Sequence, residues 1–438
     1  MNTSDEAAGA GQLYTRIAWR LMPLLLLCYV VNYIDRVNIG IAKLQFSDQL
    51  GFDARVFGLG AGLFFIGFLL LEVPSNLLLA RIGARKTLLR IMLLWGLVTV
   101  LTMFVRTPWQ FYTLRVLLGA AEAGFFPGII LYLSYWFPAA RRARITALFF
   151  VAVPVAGLVG SPLSGWIMHG MDGIAGLKGW QWMFLLEGLP AMVLGVVAFR
   201  CLDDGPQQAR WLTAEERAQV ARDLAQAPGT ERTAHGSLRL AFREPRLLLL
   251  GMISFGSYVL ANTIAFYSPT IIHNAGVSNV LQVGLLSAVP SAVGIVAMLY
   301  WGRHSDRHAE RRWHYALPLF AAAASLAAMK MVQLHPLWAV ALLSVATAGH
   351  FASLSVFWSV PPTLLPPQAA AAGIAVISSI GALGGAVGPA MLGYVTSLTG
   401  DLGTGLQVAA AMIACAGLLM LWILRPRKPS PDALAQPH

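Results

Sequence analysis

Apolar residues in this chain come in long runs separated by short polar stretches. A helix needs about 20 apolar residues to cross the hydrocarbon core of a bilayer. Twelve runs of that kind can be traced. Six are centred near Leu27, Phe65, Leu94, Ala120, Ala156 and Val193, and six near Val259, Gly294, Ala323, Ser344, Gly381 and Ala414. The longest polar stretch, Cys201 to Arg246, lies between the two sets. It contains "ARWLTAEERAQVARDLAQ", in which Thr213 and Glu216 have capping-box spacing ahead of alternating charges. That spacing predicts a short amphipathic surface helix. The pattern as a whole predicts an all-α integral membrane protein with a six-helix half over 1–200. A linker over 201–246, a second six-helix half over 247–424 and a tail over 425–438 complete it.

Composition sharpens the reading. Of 438 residues, 57% are hydrophobic and 12% charged, against roughly 25% charged in a soluble domain. The formal charge of +11 would suit nucleic acid, but its distribution argues otherwise. Arg16, Arg20, Arg81, Arg85, Lys86, Arg90, Arg141, Arg142 and Arg144 fall in one set of loops with the linker arginines. Arg303, Arg307, Arg311, Arg312, Arg425, Arg427 and Lys428 join them. The opposite loops hold only Lys43, Arg55, Arg106, Lys178 and Lys330. Basic loops stay on the cytoplasmic side, so both termini and the linker are expected there and the number of spans is even. Cys28, Cys201 and Cys415 are far apart and read as small apolar fillers. The first run carries Asp35 and Arg36 and has no small-residue cleavage site, so it reads as a span and not as a signal peptide.

The two sets repeat one another. "NLLLARIGARK" follows the second run and "GRHSDRHAERR" the eighth, aligning Arg81 with Arg307 and Arg85 with Arg311. "GLVGSPLSG" and "GGAVGPAMLG" place Pro162 and Pro389 in matching positions of the fifth and eleventh runs. Parallel repeats of this kind pack about an axis along the membrane normal and rock around a central cavity.

Asp35, Arg36, Arg115 and Glu122 lie inside apolar runs. A charge at the centre of a bilayer costs about 3 kcal/mol on insertion scales, so such residues mark proton relays, ion sites or internal pairs. Arg115 and Glu122 are two turns apart on one face. Asp35 and Arg36 are adjacent and point about 100° apart, so one can face a cavity while the other faces the fourth helix. One reading is a salt-bridge cluster locking the helices. The other gives Arg36 a substrate carboxylate, since a guanidinium forks onto one, and makes Asp35 and Glu122 the proton carriers. Arg115 would then hold one acid ionised. Glu72, before Pro74, and Glu187, before Gly188 and Pro190, read as structural acids near the cytoplasmic helix ends. His350 is open to either packing or substrate contact. Tyr33 and Asn38 flank the acid–base pair, and Tyr258, Asn262, Tyr267, Phe357 and Trp358 are candidate ligand contacts in the second set.

The chain resembles the major facilitator superfamily over essentially its whole length. The family's loop pattern G-x-x-x-D-R-x-G-x-R-K is met in part by Gly302, Asp306, Arg307, Arg311 and Arg312. It is met again by Arg81, Gly83, Arg85 and Lys86, with Ala80 in place of the acid. "NYIDRVNIG", "EVPSNLLL", "RVLLGAAEAGFFPG", "GWQWMFLLEGLPA" and "SDRHAERRWH" are similar to the anion:cation symporter family, in its tartrate, phthalate and aromatic-acid branch. The resemblance implies twelve spans, coupling acids at Asp35 and Glu122, and a cytoplasmic gate at Arg81, Arg85, Asp306, Arg307 and Arg311. Relatives for hydroxylated acids carry asparagines in the eleventh helix where this chain has Ser378 and Ala382, which makes that side of the cavity amide-poor.

The expected function is import of an aromatic or short organic carboxylate with protons, by alternating access, at the inner membrane of a bacterium. The expected partners are the carboxylate anion and the lipid bilayer, with the chain a monomer and no nucleic acid. No metal or cofactor other than the coupling proton is expected. A drug/proton antiporter, faintly suggested by "GLVGSPLSG", and a non-transporting membrane sensor are the alternatives.

Overall fold

The computed structural model describes residues 3–225, 245–331, 335–365 and 367–425. Residues 226–244 of the linker and nearly all of the tail lie outside them. The described elements are helical throughout. Before the linker come α1 (Thr3–Leu50), α2 (Ala54–Ile82), α3 (Ala84–Thr102), α4 (Pro108–Glu122), α5 (Phe125–Ser134), α6 (Ala139–Gly170) and α7 (Gly179–Cys201). The linker helix is α8 (Ala214–Ala225). After it come α9 (Pro245–Asn274), α10 (Val280–His308), α11 (Arg312–Ala328), α12 (Pro336–Phe357), α13 (Pro361–Leu364), α14 (Pro367–Thr399) and α15 (Leu402–Ile423).

Each of the twelve apolar centres falls in a helix, but among the described residues ten spans are long and apolar enough to cross a membrane. The two others have physical reasons. α3 carries Arg85, Lys86 and Arg90 in its first turns, and α11 is only 17 residues long. The fourth run is broken in two. Ala123 turns extended and Gly124 takes φ +84°, so α4 ends on Glu122 and a new helix starts at Phe125. A Cβ at Gly124 would sit 2.5 Å from Ser75 Oγ, so only glycine fits the break.

The linker helix forms as its spacing predicts. Thr213 N donates to Glu216 Oε2 at 2.9 Å, and Glu216 N to Thr213 Oγ1 at 3.2 Å. The hydrogen bond from the Thr213 backbone holds the Glu216 carboxyl below its ordinary range. Tyr14 Oη donates to Asp223, Arg16 pairs with Glu216, and Arg20 lies over the Trp211 ring, which fixes α8 to the start of α1.

The helices after the linker meet those before it through α2 with α14, α6 with α10 and α1 with α9. Small residues make these crossings possible. A Cβ at Gly58 would lie 2.4 Å from Pro389 O, at Gly62 2.3 Å from Ala386 O, and at Gly284 2.4 Å from Ser161 O. All three crossings lie in the helix portions distant from the linker. Lys43, read from the sequence as a loop cation, is inside α1 at that end, with its ammonium 4.7 Å from the rings of both Phe57 and Tyr267.

The crossing of α2 and α4 positions the charged site. A Cβ at Gly119 would lie 1.8 Å from Phe64 O, and at Gly67 2.0 Å from Val116 O. The backbones therefore touch, and Phe64 is pressed against α4. Gly119→Ala is expected to destabilise the fold by about 1–3 kcal/mol or more, since backbone cannot yield as a side chain does. The check is the thermal midpoint of the purified variant; a wild-type value would show that this contact is not tight.

Candidate functional site

Four of the predicted residues gather where α1, α3, α4 and α7 converge. Asp35, Arg115 and Glu122 are at most 2% exposed, while the Arg36 side chain keeps 21% of its surface open. Arg36 lies one helical turn beyond Asn32, and both reach α4. Arg36 donates to Glu122 Oε2 from Nη2 at 2.9 Å and from Nε at 3.3 Å, and Asn32 Nδ2 donates to the same oxygen at 2.9 Å. Glu122 Oε1 is buried without a partner. Rings close around the guanidinium, with Tyr33 at 5.4 Å, Phe64 at 5.2 Å and Phe68 at 5.6 Å. Such rings attract a cation through their quadrupoles and exclude water from its pair.

The sequence leaves open which cation meets which acid. Arg115 makes no salt bridge with Asp35 or Glu122. Its Nε and Nη2 have no hydrogen-bond partner, and its guanidinium lies 5.1 Å from the centre of the Phe64 ring, which Arg36 also approaches. It acts on Glu122 and Asp35 only through space. The cation bound to Glu122 is Arg36. Asp35 turns the other way, accepting from Thr99 Oγ1 of α3 at 2.6 Å and from Asn38 Nδ2 at 3.1 Å.

Two expectations are corrected. Asn38 is 1% exposed and bridges acids instead of lining an open cavity. Glu187 is not at a helix end. It sits well inside α7, 4% exposed, accepting from Asn38 at 2.9 Å and Ser164 Oγ at 2.7 Å. Glu72 also lies within α2, half-buried.

In the second set, Tyr258 is half-buried and within coulombic range of Tyr33, Arg36 and Glu72, so it faces the Arg36 site. Asn262 donates to the Tyr258 carbonyl at 2.8 Å, which uses part of its amide on its own helix. His350 is 8% exposed, with Nδ1 unpartnered and its ring 4.9 Å from Phe351. Ser378 is half-buried on α14. Trp358 follows the last residue of α12 and packs on Phe357. Tyr267 and Phe357 are packing residues. Tyr267 Oη donates to Pro389 O at 3.0 Å, and Phe357 lies against Tyr315.

Three of the expected gate residues, Arg85, Asp306 and Arg311, make contacts within their own half. Arg85 donates to Phe199 O at 2.6 Å, capping α7, and its backbone N donates to Asp204 at 2.9 Å. Arg311 pairs with Asp306 at 2.6 Å. Arg81 and Arg307 are exposed.

Sequence reasoning missed Asn32, Phe64, Phe68, Thr99 and Ser164. A partial signal existed: Asn32 and Arg36, like Phe64 and Phe68, are spaced i, i+4 and share a helix face.

Comparison with known proteins gives the family. The "Putative metabolite transport protein NicT" of Pseudomonas putida is 43% identical over 418 residues, covering 95% of this chain and 96% of that one. A "Putative tartrate transporter" of Agrobacterium vitis is 45% identical over 410 residues, covering 94% and 91%. A "Quinolone resistance transporter" of Acinetobacter baumannii is 38% identical, covering 93% and 94%. Among solved structures, an inward-facing bacterial homologue of the lysosomal transporter Spinster superposes with a TM-score of 0.72 at 16% identity. It covers 94% of this chain and 95% of that one, and it shares the fold. The family model of the Major Facilitator Superfamily matches residues 25–389. The chain belongs to the major facilitator superfamily of transporters, the family its sequence motifs resemble.

Proposed function

We propose that this protein is a twelve-span, proton-coupled importer of an aromatic or short organic carboxylate, working by alternating access with both termini cytoplasmic. The observation that carries the reading is the pair of Arg36 and Glu122: a partly open cation held by a fully buried acid and walled by rings. Glu122 Oε1 has no partner and is the natural seat for a proton. Protonation removes the carboxylate's charge and leaves the Arg36 cation facing a neutral acid, which takes away the coulombic attraction of the pair. Arg36 is then free to fork onto a substrate carboxylate. Loss of the proton restores the pair and expels the substrate. One monoanion with one proton is electroneutral and feels about 1.4 kcal/mol per pH unit. A second proton adds about 2.3 kcal/mol per 100 mV.

The ring walls and the amide-poor α14, with Ser378 and Ala382, favour an acid bearing few hydroxyls. Each hydroxyl buried without a partner costs about 1–3 kcal/mol. The relative named for tartrate supports the short-acid end of this range. In proteoliposomes, benzoate-, phenylacetate- or phthalate-type acids are expected to compete better than hexuronates or six-carbon sugar diacids such as galactarate. Stronger inhibition by galacturonate than by any aromatic acid would overturn the assignment. A second reading, proton-driven export, is favoured by the relative named for quinolone resistance. Quinolones are aromatic carboxylates, so they would use the same Arg36 site. Accumulation with the gradient reversed distinguishes export from import.

A further inference from the structure

Two buried carboxylates meet at one amide. Asn38 Nδ2 donates to Asp35 Oδ1 at 3.1 Å and to Glu187 Oε2 at 2.9 Å. The second oxygen of Asp35 accepts from Thr99 Oγ1 at 2.6 Å, and that of Glu187 from Ser164 Oγ at 2.7 Å. All five residues are at most 4% exposed. Every donor here is neutral, and among the described residues neither acid has a salt bridge. The charged groups facing the cluster are few. From α1, Arg36 is committed to Glu122. From α4, Arg115 reaches Asp35 only through space, and Glu122 adds a like charge. The contacts from α3 and α6 are the hydroxyls of Thr99 and Ser164.

Three acids thus face two guanidiniums. With every acid ionised, the buried set has one negative charge too many, which an apolar interior does not support. The hydroxyls show where the balancing proton can sit. Asn38 meets both acids with the same nitrogen and can only donate to them. Thr99 Oγ1 and Ser164 Oγ face the other carboxylate oxygens, and a hydroxyl can donate to an ionised carboxylate or accept O–H from a protonated one. With one proton present, one acid stays ionised and the other turns its O–H to the hydroxyl it faces.

The geometry points to Asp35, Asn38 and Glu187 as a one-proton store bridging α1 and α7, with Glu187 a proton-carrying residue alongside Asp35. This rests on the proton-symport reading and adds a proton to the one seated at Glu122. The proton belongs to the pair, not to either acid alone. Because Asp35 is adjacent to Arg36 on α1, occupancy of the store and of the substrate site move with one helix.

The test uses the purified chain, with benzoate as the probe, in proteoliposomes and by pH-difference infrared spectroscopy. In Glu187→Gln, gradient-driven uptake is expected to fall to the protein-free level while counterflow persists. The pH midpoint of carboxyl protonation in the store should move down by about one unit, because the remaining acid loses its like-charged neighbour. The protonated-carboxyl infrared band should move with it and lose a component in Asp35→Asn/Glu187→Gln. Ser164→Ala, which removes only a hydroxyl from Glu187, should shift the midpoint and guards against misfolding of the first variant. Wild-type midpoints and infrared bands in both Glu187→Gln and Ser164→Ala would overturn the inference. Absence of proton-driven uptake in the unaltered protein would instead sink the symport reading, and the infrared band would still report on the store.

Discussion

Arg36→Ala is expected to abolish carboxylate binding. Of the two arginines inside the charged site, only Arg36 has an open side chain; Arg115 is 2% exposed. Two hydrogen bonds to a charged group contribute about 3–6 kcal/mol, so affinity should fall by about 10²–10⁴-fold. Arg36→Lys should recover little, because an ammonium cannot fork onto two oxygens or stack among Tyr33, Phe64 and Phe68. Removing Arg36 also strands Glu122 in a buried site, which costs about 3–5 kcal/mol of stability. A loss of binding in the single variant could therefore be a loss of fold. The double variant Arg36→Ala/Glu122→Gln separates them: it should regain most of the thermal midpoint and still not bind. Ligand-induced thermal shift measures both quantities, since a ligand stabilises only the folded state it binds. Unchanged affinity in Arg36→Ala would remove Arg36 from the substrate site.

Hydropathy located the helices because lipid imposes length and apolarity on each one. It also located the linker helix, whose capping box is local in sequence. The charged site was half legible. Periodicity correctly put Arg115 and Glu122 on α4 and separated Asp35 from Arg36 on α1. It could not say which neighbouring helix each would meet, so it left open that the cation bonded to Glu122 is Arg36. That choice depends on the crossing of α2 and α4, where Gly67 and Gly119 bring Phe64 to the arginines. The link from Asn38 to Glu187 spans 149 residues and depends on α1 packing against α7. No local pattern encodes it. The proline and glycine after Glu187 suggested a helix end, whereas Pro190 is carried inside α7. Conversely, Tyr267 looked like a ring available to ligand, and its hydroxyl is taken by the Pro389 carbonyl across the helix interface.

Neutralising the acids should separate coupling from binding. In Glu122→Gln, Arg36 keeps a hydrogen-bonding neighbour but loses its competing charge. Substrate binding should persist and lose most of its pH dependence, because the carboxyl whose protonation releases Arg36 is gone. Uptake driven by a pH gradient should fall to background, while counterflow, which requires no net proton movement, continues. Asp35→Asn should lose gradient-driven uptake as well but keep a pH-dependent binding step, since the Arg36–Glu122 pair is intact. The two variants thus differ in one measurable respect, the pH profile of binding, although both fail to concentrate substrate. A salt-bridge cluster serving only to lock helices would give the opposite pattern: lower thermal midpoints in both, with coupling retained in whatever fraction folds. Wild-type rates of gradient-driven uptake in both Asp35→Asn and Glu122→Gln would show that these acids hold the bundle together and carry no protons.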